Sequence, residues 1–243
     1  MTNPGSKVSP MLSRVTEPEV MDDDQQARAY AEADFEEPHN HFIQLLQATF
    51  PQLAPTGIAL DLGCGPGDIT LRFAQAFPQW SVVGWDASAA MLYYGNQAVA
   101  AAGLQDRISL EAVYIPQCQA SRCSQPYPLI FSNSLLHHLA DPMALWTEID
   151  QQAGAATSVL VMDLMRPDSR DIAAHLVDLY AQDEPEVLRR DFFNSLLAAY
   201  QVNEVRGQLQ KTGLDHLQVK AVSDRHLIIW GQVSSKVQSS HSQ

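Results

Sequence analysis

Beyond residue 57 the chain alternates short apolar runs with helical patterns, and this alternation limits the possible folds more than any other feature. Runs over 58–62, 81–85, 108–113, 129–132 and 159–164 have strand character. Between them, 69–76, 89–102 and 142–152 carry apolar residues at helical spacing, and the second of these stops at Gly103. Strands separated by helices are returned in the same direction by crossover connections. The result is a parallel sheet covered on both faces. After Asp163 the pattern changes: residues 168–200 read as a mostly helical insertion or lid, and a helix over 202–212 stops at Gly213. Runs over 217–222 and 226–230 are joined only by Ser223, Asp224 and Arg225, so they close as an antiparallel hairpin. Residues 22–35 and 41–50 read as helices of an N-terminal cap over 16–50. The polar stretches 1–15 and 234–243 read as a flexible arm and tail. The expectation is one α/β domain over 16–233.

Composition narrows the partners. The chain has 243 residues and a net charge of −13, with 15 basic residues against 28 acidic ones. A field of that sign repels polyanions, and the only adjacent basic pair is Arg189-Arg190. Nucleic acid and anionic membrane are therefore not expected as partners. Three cysteines, Cys64, Cys118 and Cys123, make an odd count without a CxxC pair, which argues against a disulfide framework or a cysteine zinc site. No apolar stretch reaches the ~18 residues of a membrane span. A cytoplasmic protein, monomeric or homodimeric, is expected.

The stretch LDLGCGPGDITLRFA, residues 60–74, joins the first strand of the alternation to its helix. Such a unit places a ligand at the C-terminal edge of a parallel sheet. The spacing excludes two ligands. A dinucleotide fingerprint needs a third glycine where Asp68 stands, and a Walker loop needs a G-K-[ST] that is absent. The remaining pattern suits a cationic nucleoside. Asp61 answers a positive amino-acid head, glycines at 63, 65 and 67 let backbone approach closely, and Asp86 at the tip of the next strand suits a ribose diol.

With those residues in place the sequence resembles the class I S-adenosylmethionine-dependent methyltransferases. The resemblance is carried by ALDLGCGPGD (59–68), VVGWDASAAML (82–92) and IFSNSLLHHLADP (130–142), and is closest to members acting on small molecules and quinols. It implies a Rossmann-like, mostly parallel seven-stranded sheet of order 3-2-1-4-5-7-6 with the seventh strand antiparallel and helices on both faces. It further implies contacts from Asp61, Gly63, Gly65 and Gly67 to the methionine part, from Asp86 to the ribose, and from Ala87, Ser88 and Met91 to the adenine. Cys64 within the loop, and Ser132 and Asn133 at the end of the fourth strand, are grouped with these cofactor contacts. Tyr114 stands where an acid usually meets the adenine amino group. The implied cofactor is S-adenosylmethionine, released as S-adenosylhomocysteine, and the implied partner is a small-molecule acceptor. The alternatives are a protein or tRNA acceptor, or a non-catalytic cofactor-binding partner protein.

Methyl transfer from a sulfonium is an in-line displacement that needs mainly alignment and a dry site, with a base only where the acceptor must lose a proton. The acceptor belongs over the ends of the fourth and fifth strands. His137 is the candidate base or acceptor-orienting group; packing after the fourth strand is its alternative role. On a helix, adjacent residues point ~100° apart, so at most one of His137 and His138 would face the site. Asp163 either binds the acceptor, acts as base or pairs with Arg166. Tyr30, His138, Arg166 and Tyr200 are candidate substrate contacts. No metal is expected, because no carboxylate or cysteine spacing supports the histidines at 39, 41, 137 and 138.

Overall fold

In the computed structural model the described residues are 12–17, 20, 23–33, 35–116 and 125–233. The tail at 234–243, most of the arm, Cys118 and Cys123 lie outside them. The sheet has seven strands: β1 (Gly57–Leu62), β2 (Trp80–Asp86), β3 (Ile108–Ala112), β4 (Tyr127–Asn133), β5 (Ala153–Leu164), β6 (Gln218–Ala221) and β7 (His226–Gln232). Their order is β3-β2-β1-β4-β5-β7-β6, as the resemblance implies. The first five are mutually parallel, and β7 runs antiparallel to both β5 and β6. Order reverses between β1 and β4, which puts the topological switch point at the ends of those two strands.

Eight helices surround the sheet among the described residues: α1 (Asp24–Glu32), α2 (Glu36–Thr49), α3 (Asp68–Ala76), α4 (Ala89–Ala101), α5 (Met143–Gln152), α6 (Arg170–Tyr180), α7 (Glu186–Ala198) and α8 (Val202–Thr212). None is long and apolar enough to cross a membrane. Local sequence chemistry sets several of their ends. Ser88 and Ser169 cap α4 and α6 by accepting from the backbone of Met91 and Ile172. Gln201 and Glu204 form a reciprocal capping box on α8, and Gly213 ends that helix in the left-handed region.

Period-two alternation along the buried strands sends successive side chains to two cores. On one face Leu60, Ile130, Val159, Val161 and Ile229 pack with Trp146 of α5 and Leu209 of α8. On the other, Ala59, Phe131, Leu160 and Ile228 pack with Phe42 of α2 and Phe73 of α3. The rings of Phe42, Phe73 and Phe131 meet at centroid separations of 5.0–5.9 Å. Truncating Phe131, which is fully buried, costs about 3–5 kcal/mol on the usual scale for such sites. A third cluster joins α6 and α7 around Leu176, Leu196 and Leu197.

One expectation fails near the N-terminus. Residues 12–15, read as the end of a flexible arm, are docked. The backbone N–H of Val15 donates to Leu197 O at 3.0 Å. The Arg14 guanidinium donates to the carbonyls of Ala198, His137 and Leu139 at 2.5–3.0 Å and lies over the Tyr200 ring. Polarity alone gave no sign of this, because the partners are backbone carbonyls of distant elements.

Candidate active site

The C-terminal ends of β1, β2, β4 and β5 open into a cavity of about 890 Å³, within the range of small-molecule sites. Helices α1 and α2, one side of α7 (Leu188, Phe192 and Ser195) and the β6–β7 hairpin contribute to its walls.

At one end lies the glycine loop. Gly63, Gly65 and Gly67 all have positive φ, at 73°, 50° and 81°. Gly63 admits no side chain for a second reason: a Cβ there would stand 2.9 Å from Leu135. The loop is tied to β2, with the N–H groups of Gly63 and Cys64 donating to Trp85 O at 2.8 and 3.0 Å. Asp86 closes the unit, one carboxylate oxygen accepting from Gly65 N–H and the other from Ser88 N–H, both at 2.8 Å. Burial raises the Asp86 pKa, and these backbone donors offset part of that rise. Asp61 is buried at the end of β1, where Thr70 Oγ1 donates to it. Burial lifts its pKa to about 7, with the neighbouring Asp86 charge adding to the rise and Thr70 opposing it. The side-chain oxygen of Asn133, also lining the cavity, is buried without a hydrogen-bond partner.

Helix α2 is fastened beside the loop through Asp68, the first residue of α3. His39 and Arg72 both bond the Asp68 carboxylate, and Arg72 also donates to Asn40 Oδ1 at 2.6 Å. Burial alone would raise the Asp68 carboxyl, but His39 and Arg72 bring it below the ordinary carboxylate range. His39 is thereby committed to this network.

The other end of the cavity holds an imidazole pair. Residues 135–139 form a turn rather than a helix, entered through Ser134 at φ 58°. Both His137 and His138 therefore line the cavity, their rings 4.1 Å apart, and the expectation that at most one faces the site is corrected. His137 Nδ1 bonds Asp163 Oδ1 at 2.7 Å, while Asp163 Oδ2 accepts from Leu136 N–H at 2.6 Å. Glu17, from the docked N-terminal strap, reaches both rings: its Oε1 lies 3.6 Å from His137 Nε2 and 3.1 Å from His138 Nδ1. Burial would make His137 less basic, but Asp163 and Glu17 outweigh it and raise its pKa. Burial would likewise raise the Glu17 carboxyl, yet the two imidazoles and the Ser195 hydroxyl hold it below its usual value.

Of the remaining expected residues, Gly63, Cys64, Gly65, Ala87, Ser88, Met91 and Tyr114 line the cavity, as does Tyr30, whose phenol burial keeps protonated. Others lie elsewhere. Ser132 is fully buried and donates to Leu62 O at 2.7 Å, bracing the ends of β1 and β4. Gly67 makes the turn into α3 without lining the cavity. Asp163 stands behind His137 and supports it. Arg166 does not line the cavity: it is buried, donates to Leu12 O and Ala199 O, and pairs with Glu204 at 2.7 Å. The alternative Asp163–Arg166 pair does not form, because the guanidinium is spent on these partners. Tyr200 is also withdrawn from the cavity, buried under Arg14 with its hydroxyl directed at Leu139 O. Sequence reasoning missed Glu17, Arg225 and His226. Arg225 sits in the three-residue connection of the closing hairpin and His226 begins its second strand, and Arg225 stacks on Tyr180 with its guanidinium carbon 3.2 Å from the ring centre. No sequence pattern marked Glu17.

A family model described as a methyltransferase domain matches residues 59–166. Among curated proteins, the chain is 35% identical over 134 residues to a trans-aconitate 2-methyltransferase of Deinococcus radiodurans, covering 54% of this chain and 45% of that protein. A Variovorax paradoxus protein of the same name is 32% identical over 141 residues, covering 58% and 50%. The chain thus aligns with about half the length of these relatives. Among solved structures, a putative S-adenosyl-L-methionine-dependent methyltransferase of Methanococcus maripaludis superposes with a TM-score of 0.68 at 16% identity, covering 92% of this chain and 99% of the other. The plantazolicin methyltransferase, solved with S-adenosylhomocysteine, gives 0.65 at 12% identity, with coverage of 86% and 90%.

Proposed function

We propose that this chain is a class I S-adenosylmethionine-dependent methyltransferase and that it transfers a methyl group to a small organic acceptor held in the cavity between the glycine loop and the His137–His138 turn. The observation that carries this reading is the pair of carboxylates at adjacent strand ends, Asp61 and Asp86, with the side-chain-free loop between them. Asp61 and the unpartnered oxygen of Asn133 provide acceptors for an ammonium group. Asp86 is already oriented by two backbone donors, so its geometry is set before any ligand arrives. S-adenosylmethionine, when bound, supplies an electrophilic methyl on a positively charged sulfur. The chain's part would be to align an acceptor lone pair in line with that carbon–sulfur bond, so that the sulfur could leave as a neutral thioether, and to keep water out of the cavity. The acidic lining supports binding of a cationic donor.

The acceptor side is built from His137, backed by Asp163, with His138 and Glu17 beside it. Asp163 fixes the ring so that Nε2 is directed toward Glu17. Enclosure of this end by α1, α7 and the hairpin supports a small acceptor over a folded macromolecule.

Thermal unfolding tests the reading. S-adenosylhomocysteine at about a hundred times its Kd stabilises by about 2.7 kcal/mol, a Tm rise of roughly 5–10 °C for a chain of this size. NAD is expected to give no rise, and Asp86→Ala is expected to lose the response to S-adenosylhomocysteine. Turnover with an RNase-treated, size-filtered metabolite extract supports a small acceptor; turnover with large RNA or protein alone overturns that part.

A further inference from the structure

We propose that Glu17, His137 and His138 form a binding site for one divalent transition-metal cation at the acceptor end of the cavity. Binding of the cation stands on these residues alone; only its role in methylation rests on the methyltransferase reading.

The three ligand atoms, Glu17 Oε1, His137 Nε2 and His138 Nδ1, all lie within 4.8 Å of one another. Zinc-like cations bind imidazole nitrogen and carboxylate oxygen at ~2.0–2.2 Å, so ligands at tetrahedral angles stand roughly 3.3–3.6 Å apart. The separations of 3.1 and 3.6 Å lie just below that range and at its upper end. The rings are prepared for a cation in different ways. His137 is bonded through Nδ1 to Asp163, which leaves Nε2 as the free donor, the carboxylate–histidine arrangement found behind many metal ligands. His138 Nδ1 is buried without a hydrogen-bond partner, although Glu17 Oε1 is only 3.1 Å away. The contact is close but badly angled for a hydrogen bond, whereas a cation between the atoms satisfies both.

Glu17 has its own support. Ser195 Oγ donates to Oε1 at 3.0 Å, and the strap that carries Glu17 is anchored by Arg14 to the carbonyls of His137 and Leu139. The carboxylate that no local spacing supplied to the histidines therefore comes from a remote segment. Two imidazoles and one carboxylate favour Zn²⁺, Co²⁺, Ni²⁺ or Fe²⁺ over Ca²⁺ or Mg²⁺, which take oxygen ligands. Three protein ligands leave a position open toward the cavity, as in catalytic rather than structural sites. A cation there would hold a hydroxyl or carboxylate oxygen of the acceptor. It would also ease loss of a hydroxyl proton, in a cavity whose other charged lining is mainly acidic.

The test uses the full chain stripped with a chelator and titrated with Co²⁺ and with Zn²⁺ at neutral pH, followed by calorimetry and by the visible ligand-field bands of Co²⁺. One equivalent is expected to bind with micromolar or tighter Kd. Glu17→Gln and His138→Ala are each expected to weaken binding by at least about tenfold, and Asp163→Asn, which removes no ligand atom but weakens the support behind His137, by about ten- to a hundredfold. A measurement on the unaltered protein guards against misfolded variants: bound Co²⁺ is expected to shift the His137 Nδ1–H proton resonance far outside its diamagnetic range. Absence of stoichiometric binding, unchanged binding in the variants, or an unshifted His137 proton overturns the site. S-adenosylhomocysteine binding, measured in parallel, depends on Asp61 and Asp86. Its presence without metal binding rejects the metal site alone, and its absence with intact metal binding rejects the cofactor reading alone.

Discussion

Asp61 is the residue whose environment most directly couples to ligand charge. With a pKa lifted to about 7 by burial, it is half-protonated near neutrality in the free protein. An ammonium group bound against it favours the ionised form, so below pH ~7 binding must release the carboxyl proton. Affinity for S-adenosylhomocysteine is therefore expected to rise with pH up to about 7 and then level off, with a limiting slope of about one log unit per pH unit on the acid side. Calorimetric titrations across that window check it. Asp61→Asn, which cannot titrate, is expected to bind more weakly and to lose the slope; a slope that survives the substitution would assign the titration elsewhere. Such behaviour was not legible in the residues themselves. LDLGCGPGD announces a carboxylate before a turn, but it does not say that Asp61 itself is buried once the distant elements close around it, which is what raises the pKa.

The N-terminal strap shows how an element with no regular secondary structure can set the site. Residues 12–17 run between α7 and the 135–139 turn, and Arg14 holds them there with three charge-assisted bonds to backbone carbonyls. Arg14→Ala leaves those carbonyls without their donor and removes the contact with Tyr200. The expected cost is on the order of 2–3 kcal/mol. Release of the strap also carries Glu17 away from the imidazoles. The expected kinetic signature is a raised KM for the acceptor with S-adenosylhomocysteine affinity nearly unchanged, since the glycine loop is elsewhere. Equal loss of both affinities would show that the strap supports the whole cavity. The βα elements behaved differently. Most strands and helices and the closing hairpin lie within a few residues of where periodicity puts them, because hydrophobic spacing is a local signal, while β5 and α2 begin five or six residues earlier than expected. The strap, the non-helical turn bearing both histidines and the burial of Arg166 come from pairings between distant segments. No window of sequence contains both partners.

For the molecule as a whole, buried Asp61 and half-buried His226 set opposing responses to acid. His226, on the hairpin side of the cavity, has its pKa lowered to about 4, first by burial and then by the Arg225 charge. The unfolded chain takes up that proton near pH 6.5 and the folded one only near 4. His226 thus costs stability as pH falls through that interval, by up to about 3 kcal/mol. Asp61 works the other way: folded, it holds a proton up to about pH 7, whereas unfolded it loses it near 4, so its contribution improves as pH falls from 7 to 4. The two effects overlap and largely offset between pH 4 and 6.5. Removing one exposes the other. Asp61→Asn is expected to lose stability on acidification more steeply than the parent protein, and His226→Gln is expected to reverse that trend, gaining stability toward pH 4. Urea unfolding at several pH values in this window checks both. If the two variants keep the parent's pH slope, neither group titrates in the cavity as its burial requires, and the electrostatic account of the glycine-loop end would have to be rebuilt on other residues.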